Sequence, residues 1–450
     1  MRKERVEQMH SVQEIVEIAE ELLTDRFGGT QRLSEPSDLG GSGNARVLRV
    51  RVAPQPFLQA RSVVLKYVPR VGDRFDDAAL IREVVAYQFC TSLPVDKRPG
   101  PELLAYDIDR RILVIGDAGD GDTLDVLLDT TDSKARLQVV RKLGRSLGSI
   151  HAATADREEH FTILLKRMLA RYPHTSTVQQ MREVTLPKAI DRGLDLLVAA
   201  GITVDDQVQQ FATEAQRRLV TGQHRAFTPF DLSPDNILLT AKPQFLDYEW
   251  AGFRDATFDV ACVIGGFPQF LFAHPLTDSE AEAFVDAWVD EVKTLWPNVT
   301  NRVRLRARLI AALIGWAASS VAYLYHGSMH QLVAEMEQRM QQSQADAGDI
   351  PALDAIARST AEWDDDVLAG SLFSDMSEEG QLARKDVADT FTALARLAHR
   401  GGDPRFAAVA TFAESVLARL AELDTSLADR LAEGAGTPAA DTATTIGEGH

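Results

Sequence analysis

An α+β fold in two lobes is predicted by three features of this 450-residue chain. Residues 33–115 hold short apolar runs of period two around one helical stretch, the pattern of an antiparallel sheet with a helix against it. From residue 133 onward apolar residues recur at helical spacing through most of the chain. Between two such helical regions, residues 227–261 form a loop, a short apolar hairpin and a second loop, all rich in oxygen-bearing side chains. With 45% hydrophobic residues the chain can bury a core large enough for two lobes. The expected division is a first lobe over 1–116 and a second over 117–371, the latter carrying a helical insert at 133–220. Further helices follow over 372–433, and the Gly/Ala/Thr-rich tail 434–450 reads as disordered.

Composition narrows the function classes. A net charge of −18 lacks the basic face that nucleic acid or an anionic membrane would require, and suits a cationic small-molecule partner. Two cysteines, Cys90 and Cys262, both in apolar surroundings, exclude a disulfide framework and read as packing residues. The first residues carry charges but no apolar run of the signal-peptide kind, so a cytoplasmic location is expected. Residues 309–325 are uncharged and follow Arg302, Arg304, Arg306 and Arg308. They are short for a membrane span and contain Gly315, Ser319 and Ser320, which predicts a buried core helix.

In chain order, Val12, Ile15, Ile18, Ala19, Leu22 and Leu23 line one face of a helix over 12–26. Residues 47–52 and 62–68 alternate as strands, and L-G-G-S-G-N-A-R lies just before the first of them. A turn containing Gly41, Ser42, Gly43 and Asn44 allows backbone N–H groups to approach phosphates closely. On the strand V-V-L-K, Val64 and Lys66 share a face, so Val64 can pack on a base while Lys66 reaches phosphates. The helix over 75–92 carries Glu83, the expected ion-pair partner of Lys66. Strands over 99–106 and 111–115 complete the first lobe, a five-stranded sheet counting one from Leu33.

The chemistry resides in F-T-P-F-D-L-S-P-D-N-I-L-L and Q-F-L-D-Y-E. Asp231 and Asn236 stand at D-x-x-x-x-N spacing, and Asp247 follows the second strand of the hairpin. In kinase-type phosphoryl transfer one Asp orients the attacking hydroxyl and takes its proton, while an Asn and a second Asp hold Mg²⁺. The hairpin folds Asn236 and Asp247 back beside the loop of Asp231, so three oxygen-bearing groups converge. Taken singly each acid is an ordinary N-cap or turn residue; their order and spacing carry the reading.

D-L-S-P-D-N, F-L-D-Y-E and D-V-A resemble the H-G-D-x-x-x-x-N, D-F-E and D-L-A motifs of the aminoglycoside phosphotransferase and choline kinase family. That resemblance implies a protein-kinase-like fold and an ATP- and Mg²⁺-dependent enzyme. Asp231 would be catalytic, Asn236 and Asp247 the metal ligands, and residues 41–44 the counterpart of a G-x-S-N loop over the phosphates. The V-I-G-D-A-G stretch is similar to the family hinge, which puts Ile115 behind the nucleotide and the backbone of Gly116 and Ala118 at the adenine edge. Glu83 and Tyr87 match E-x-x-x-Y, and His151 in L-G-S-I-H is expected to be structural. Asp120 and Asp122 are expected to cap the next helix, and Asp259 to brace the catalytic loop. One departure is Pro229, where the family has a loop-bracing His.

Only Y-E-W-A-G-F-R-D-A-T-F separates Asp247 from Asp259, too little for the activation segment of a protein kinase, so a small-molecule hydroxyl acceptor is favoured over a protein. Family acceptors include aminoglycosides, choline, homoserine, methylthioribose, fructosamines and macrolides, among which the sequence does not choose. Glu249, Asp286, Asp290 and Glu291 are candidates for gripping a cationic one. Two alternatives stand: a catalytically impaired kinase-fold protein that only binds nucleotide or ligand, suggested by Pro229, and a protein kinase. Helices are expected over 279–296, 303–326, 329–344, 350–368, 377–400 and 404–433, the last of them exceeding the family core and offering a homodimer surface.

Overall fold

The structure, a computed structural model, describes residues 10–40, 45–70, 74–130, 132–272, 274–347 and 378–423. Helix α1 (Val12–Phe27) opens on a capping box in which Ser11 and Glu14 satisfy each other's backbone N–H groups. Strands β1 (Leu33–Asp38), β2 (Arg46–Val52), β3 (Ser62–Tyr67), β4 (Leu103–Asp107) and β5 (Ile112–Gly116) form one antiparallel sheet in the order β1-β2-β3-β5-β4. Helix α2 (Arg74–Thr91) lies between β3 and β4 in sequence.

The period-two pattern decides which face each residue serves. Val63, Leu65 and Tyr67 of β3 join Ile15, Ala19 and Leu23 of α1 in one small core, while Val64 joins α2 and the main core. Lys66 shares the Val64 face, so the same alternation that builds the small core aims Lys66 at the cleft beside α2. The predicted strand at 99–106 begins only at Leu103, and the α1, β3 and β5 predictions hold to within about two residues.

The second lobe begins with β6 (Asp122–Thr123), α3 (Leu124–Leu128), α4 (Ser133–Thr154), α5 (Glu158–Arg171), α6 (Ser176–Ala199) and α7 (Asp206–Val220). Strands β7 (Arg225–Thr228), β8 (Ile237–Leu239), β9 (Pro243–Phe245) and β10 (Gly252–Asp255) follow. The remainder is helical: α8 (Thr257–Ile264), α9 (Asp278–Val292), α10 (Arg302–His326), α11 (Met329–Ala347), α12 (Glu378–His399) and α13 (Arg405–Leu423). The hairpin β8–β9 forms as predicted and gains β6 as a third strand through Asp122–Leu239 pairing. Asp122 is therefore a strand residue, Asp120 pairs with Arg49 at 2.7 Å, and Thr123 occupies the N-cap of α3, which corrects the capping expectation for both acids. The β7–β10 pair, which flanks the catalytic loop, was not foreseen, because four-residue strands give too little alternation to register.

By its helix-breaking tendency Pro187 reads as a division between helical segments, but it sits inside α6. Helix α10 is the axis of the lobe and is buried from Leu309 through Tyr323. It is the one helix among the described residues long and apolar enough to cross a membrane, and most of it is enclosed by protein, as the core-helix reading requires. Apolar residues of α12 and α13, such as Phe391, Phe406 and Phe412, belong to the same core as α10. The predicted helix at 350–368 and the tail at 434–450 lie outside the described residues.

The α6–α10 contact is unusually close. A Cβ added at Gly193 would fall 1.8 Å from the Ala318 carbonyl oxygen. A helical Gly→Ala change ordinarily stabilises by about 1 kcal/mol. Here Gly193→Ala should instead destabilise by about 1–3 kcal/mol in chemical denaturation, because the helices must part. Gly402→Ala, with nothing near its added methyl, serves as the neutral comparison.

Candidate active site

The cleft between the lobes is organised by Lys66. Its Nζ lies 2.8 Å from Glu83 Oε1 on α2 and 3.1 Å from Asp247 Oδ1 beyond β9. Burial by itself would lower the Lys66 pKa, but the Asp247 and Glu83 carboxylates outweigh it and hold the ammonium well above its ordinary value. For Glu83, burial pushes the carboxyl up, Lys66 opposes the rise and Asp247 adds to it. Asp247 has φ 56°, a left-handed conformation that Asp tolerates better than most residues. The Leu246 N–H donates to the Asn236 carbonyl at 2.9 Å, which sets Asp247 beside Asn236 as the hairpin reading required.

Two adjoining cavities meet at this cluster. One of ≈ 470 Å³ is bordered by Val64, Lys66, Glu83, Ile115, Gly116, Ala118, Asn236 and Asp247. Its walls also include Val47 of β2 and Leu238 and Leu246 of the hairpin, so the segment that presents the oxygen ligands also supplies an apolar floor facing Val64. Those apolar residues were legible as hairpin core and not as pocket, since both roles ask for the same side chains. Arg49 of β2 grips Asp117 (Nε–Oδ2 3.0 Å) and Asp120, tying the sheet to the hinge. The Gly116 N–H donates to the Glu102 carbonyl at 2.8 Å, and Gly116 and Ala118, whose backbone is expected at the adenine edge, both border this cavity. Gly41, Ser42, Gly43 and Asn44 lie outside the described residues.

Asp231 borders the second cavity, ≈ 430 Å³, together with Lys66, Asn236, Asp247 and Glu249. Its Oδ1 accepts from the Ser233 N–H at 3.2 Å. It keeps some contact with solvent at the mouth of the cleft, yet burial pushes its pKa up to about 8, with Asp247 and Glu249 adding to the rise and the Ser233 N–H opposing it. The structure thus brings Asp231, Asn236, Asp247, Lys66 and Glu83 together around these two adjoining cavities. Asp286 and Asp290 instead pair with Arg302 and Lys293 on the surface of α9, and Glu291 packs near Gly148; none of the three borders either cavity.

Bracing of the catalytic loop takes a route of its own. Trp288 Nε1 donates to His151 Nδ1 at 2.9 Å, which leaves His151 Nε2 to donate to Asp259 Oδ2 at 3.2 Å. Asp259 is fully buried, and the Phe230 backbone N–H contributes to holding its charge. Phe230 stands where the H-G-D motif has Gly and is itself left-handed at φ 68°. Its ring stacks on Trp316 with centroids 4.9 Å apart, and the Arg254 guanidinium lies 4.4 Å from its centroid on β10. Asp259 as a brace and His151 as a structural residue are what the sequence predicted; the left-handed Phe230 was not noticed there.

The sequence profile of the Phosphotransferase enzyme family, APH, matches residues 49–300, more than half of the chain. The chain belongs to that family. This phosphotransferase has the protein-kinase-like two-lobed fold. In structure it is similar to choline kinase from Cryptosporidium parvum Iowa II (13% identity, 72% of this chain and 93% of that one, TM-score 0.39). It is also similar to choline kinase LicA from Streptococcus pneumoniae (15% identity, 77% and 97%, TM-score 0.39). A third similar structure is the streptomycin–ATP–APH(2″)-IIa ternary complex (13% identity, 72% and 95%, TM-score 0.39). No curated protein sequence matches the phosphotransferase.

The raised pKa of Asp231 has a sign that can be tested. Between its ordinary value of 3.8 and about 8 the folded state holds a proton that the unfolded chain has released. Stability therefore falls as pH rises through that window. In metal-free protein, Asp231→Asn should gain stability over the parent progressively from about pH 5 to about pH 9 in urea midpoints. A difference that does not change with pH would refute the assignment.

Proposed function

We propose that this phosphotransferase moves the γ-phosphoryl group of ATP to a hydroxyl of a small molecule. The observation that carries the reading is the convergence of Lys66, Glu83, Asn236 and Asp247 on one cleft whose neighbouring wall presents Asp231. The cleft suits a nucleoside triphosphate: Val64 and Ile115 on the sheet side and Leu238 and Leu246 on the hairpin side can sandwich a base. The donor set also fits Mg²⁺. Among the described residues no group of three or more His, Cys, Asp or Glu could hold a metal unaided. Mg²⁺ commonly takes one or two protein oxygens and completes its shell with phosphates and water. Asn236 and Asp247 offer such a pair, and Mg²⁺ held there would neutralise charge on the phosphates.

The chain's own residues do the positioning. Lys66, fixed by Glu83, would steer the phosphates, and Asp231 would orient the acceptor hydroxyl and take its proton as that oxygen bonds to the γ-phosphorus, whose bond to the bridging oxygen breaks so that ADP leaves. The short interval from Asp247 to Asp259, occupied by Trp250 and β10, supports a small molecule over a protein as acceptor.

Pro229 favours one rival, a fold that binds nucleotide without transferring phosphate. The Trp288–His151–Asp259 brace supports the active reading, because the loop is held without the family His. A triphosphate-consumption screen over hydroxylated amines, sugars, aryl alcohols and antibiotics separates the two. Asp231→Asn should lower transfer to the responding acceptor by about 10²–10⁴-fold with ATP affinity retained. Lys66→Ala should weaken ATP binding itself. Unchanged turnover in Asp231→Asn, or no transfer to any acceptor, would overturn the proposal.

A further inference from the structure

A third cavity, ≈ 550 Å³, shares Asp231 and Phe270 with the cavity bordered by Lys66 and Asp247. It therefore opens onto the carboxylate that would receive the acceptor's proton. Phe230, Trp250, Trp316 and Tyr323 line it. Trp250 is fixed from behind by the Arg182 guanidinium, 3.8 Å from its ring centroid, and Phe230 is fixed by its stack on Trp316. Flat, immobile aromatic faces of this kind bind a ring without first having to be ordered.

Two neutral polar atoms on these walls have no hydrogen-bond partner. They are the hydroxyl of Ser320, whose residue is 3% exposed, and Nε2 of Gln269. A buried donor left unpaired is costly, and the Gln269 amide can be satisfied only by an oxygen or nitrogen lone pair. The carboxylate of Asp386, from α12, also borders the cavity, but it accepts the Gln269 backbone N–H at 2.7 Å and a further N–H from Leu271. It holds the 269–271 turn, in which Gln269 and Leu271 both have positive φ. A positively charged group in the cavity would face the Gln269 donor, and Asp386 there already accepts two backbone N–H groups.

Resting on the phosphotransfer reading above, we propose that this cavity is the acceptor site and takes an uncharged, ring-bearing alcohol. The ring would lie against Trp250, Trp316 and Tyr323. A ring oxygen or carbonyl would accept from Gln269 Nε2 and bond with Ser320, and the reacting hydroxyl would face Asp231. Helix α12 borders the site through Ala383 and Val387, so the region beyond the family match at 49–300 would select the acceptor. This differs from what the net charge of the chain alone suggests.

The test is binding to full-length protein carrying a non-hydrolysable ATP analogue, followed by tryptophan fluorescence. The probes are piperonyl alcohol and 4-methoxybenzyl alcohol, aryl alcohols that each carry an ether oxygen besides the hydroxyl, set against choline and kanamycin. The aryl alcohols should bind at least about ten-fold more tightly than either amine, a difference of about 1.4 kcal/mol. Gln269→Ala, Ser320→Ala and Ala383→Trp should each weaken aryl-alcohol binding by about ten-fold with affinity for the ATP analogue unchanged, which also reports that the variants fold. Tighter binding of choline or kanamycin, or indifference to Ala383→Trp and Gln269→Ala, overturns the proposal. Mass spectrometry of the same mixtures with ATP distinguishes the two levels. Aryl alcohols that bind as expected but acquire no phosphate leave this site standing and count against the phosphotransfer reading. Phosphate appearing only on the amines does the reverse.

Discussion

One buried ammonium holds the two lobes in register. Lys66 belongs to the sheet, Glu83 to α2 and Asp247 to the second lobe, and Nζ lies within 3.1 Å of both carboxylates. Removing one member of a buried pair leaves an uncompensated charge and typically costs about 3–5 kcal/mol. The arrangement therefore constrains the rotation of α2 and the approach of the hairpin together. Two carboxylates facing one lysine leave excess negative charge, which is why burial and Asp247 push Asp231 and Glu83 upward. On the function proposed above, the acidity that looks excessive in the bare protein is what magnesium beside a triphosphate would offset.

A second buried network supports the first from behind. Arg82, next to Glu83 on α2, donates to Gln179 at 2.9 Å and to Glu183 at 2.6 Å on α6. Glu183 also faces Arg254 of β10, the residue whose guanidinium covers Phe230. Burial would raise the Glu183 carboxyl, but Arg82, Arg254 and Arg182 outweigh it and hold its pKa at about 2. The helical insert is thus tied electrostatically both to the helix that positions Lys66 and to the loop that presents Asp231. The left-handed backbone at Phe230 costs energy in isolation, and the surrounding Trp316, Arg254 and Asp259 contacts are what over-determine it.

How much of this was legible follows from what each feature needs. Lys66, Glu83, Asp231, Asn236 and Asp247 were readable because phosphoryl transfer demands particular residue types in a particular order, and period-two alternation showed which way Lys66 points. The brace at Asp259 was readable from its place at a helix start. The β7–β10 pair was not, since strands that short leave no periodic trace. Pro187 reads as a helix breaker, yet the tertiary packing of α6 overrides that tendency. Asp120 reads as a cap in the sequence because its long-range partner, Arg49, is seventy-one residues away in the chain.

The division of labour between the lobes explains why the acceptor side was the least legible part. A triphosphate is recognised by charge and by backbone, which impose motifs. An acceptor is recognised by shape and by a few neutral hydrogen bonds, which almost any helix can supply. Trp316, Ser320 and Tyr323 are spaced along α10 as ordinary core residues, and Ala383, Asp386 and Val387 along α12 as an ordinary amphipathic face. Only the fold brings them to Asp231. Asp386 shows the consequence: as a lone acid on a helix it reads as surface, yet it fixes the backbone of Gln269, and through that turn it sets where an unpaired amide meets the cavity. On the proposals made above, acceptor choice in this phosphotransferase would be a property of packing between α10, α12 and the 267–271 turn, while nucleotide chemistry would be a property of the motifs.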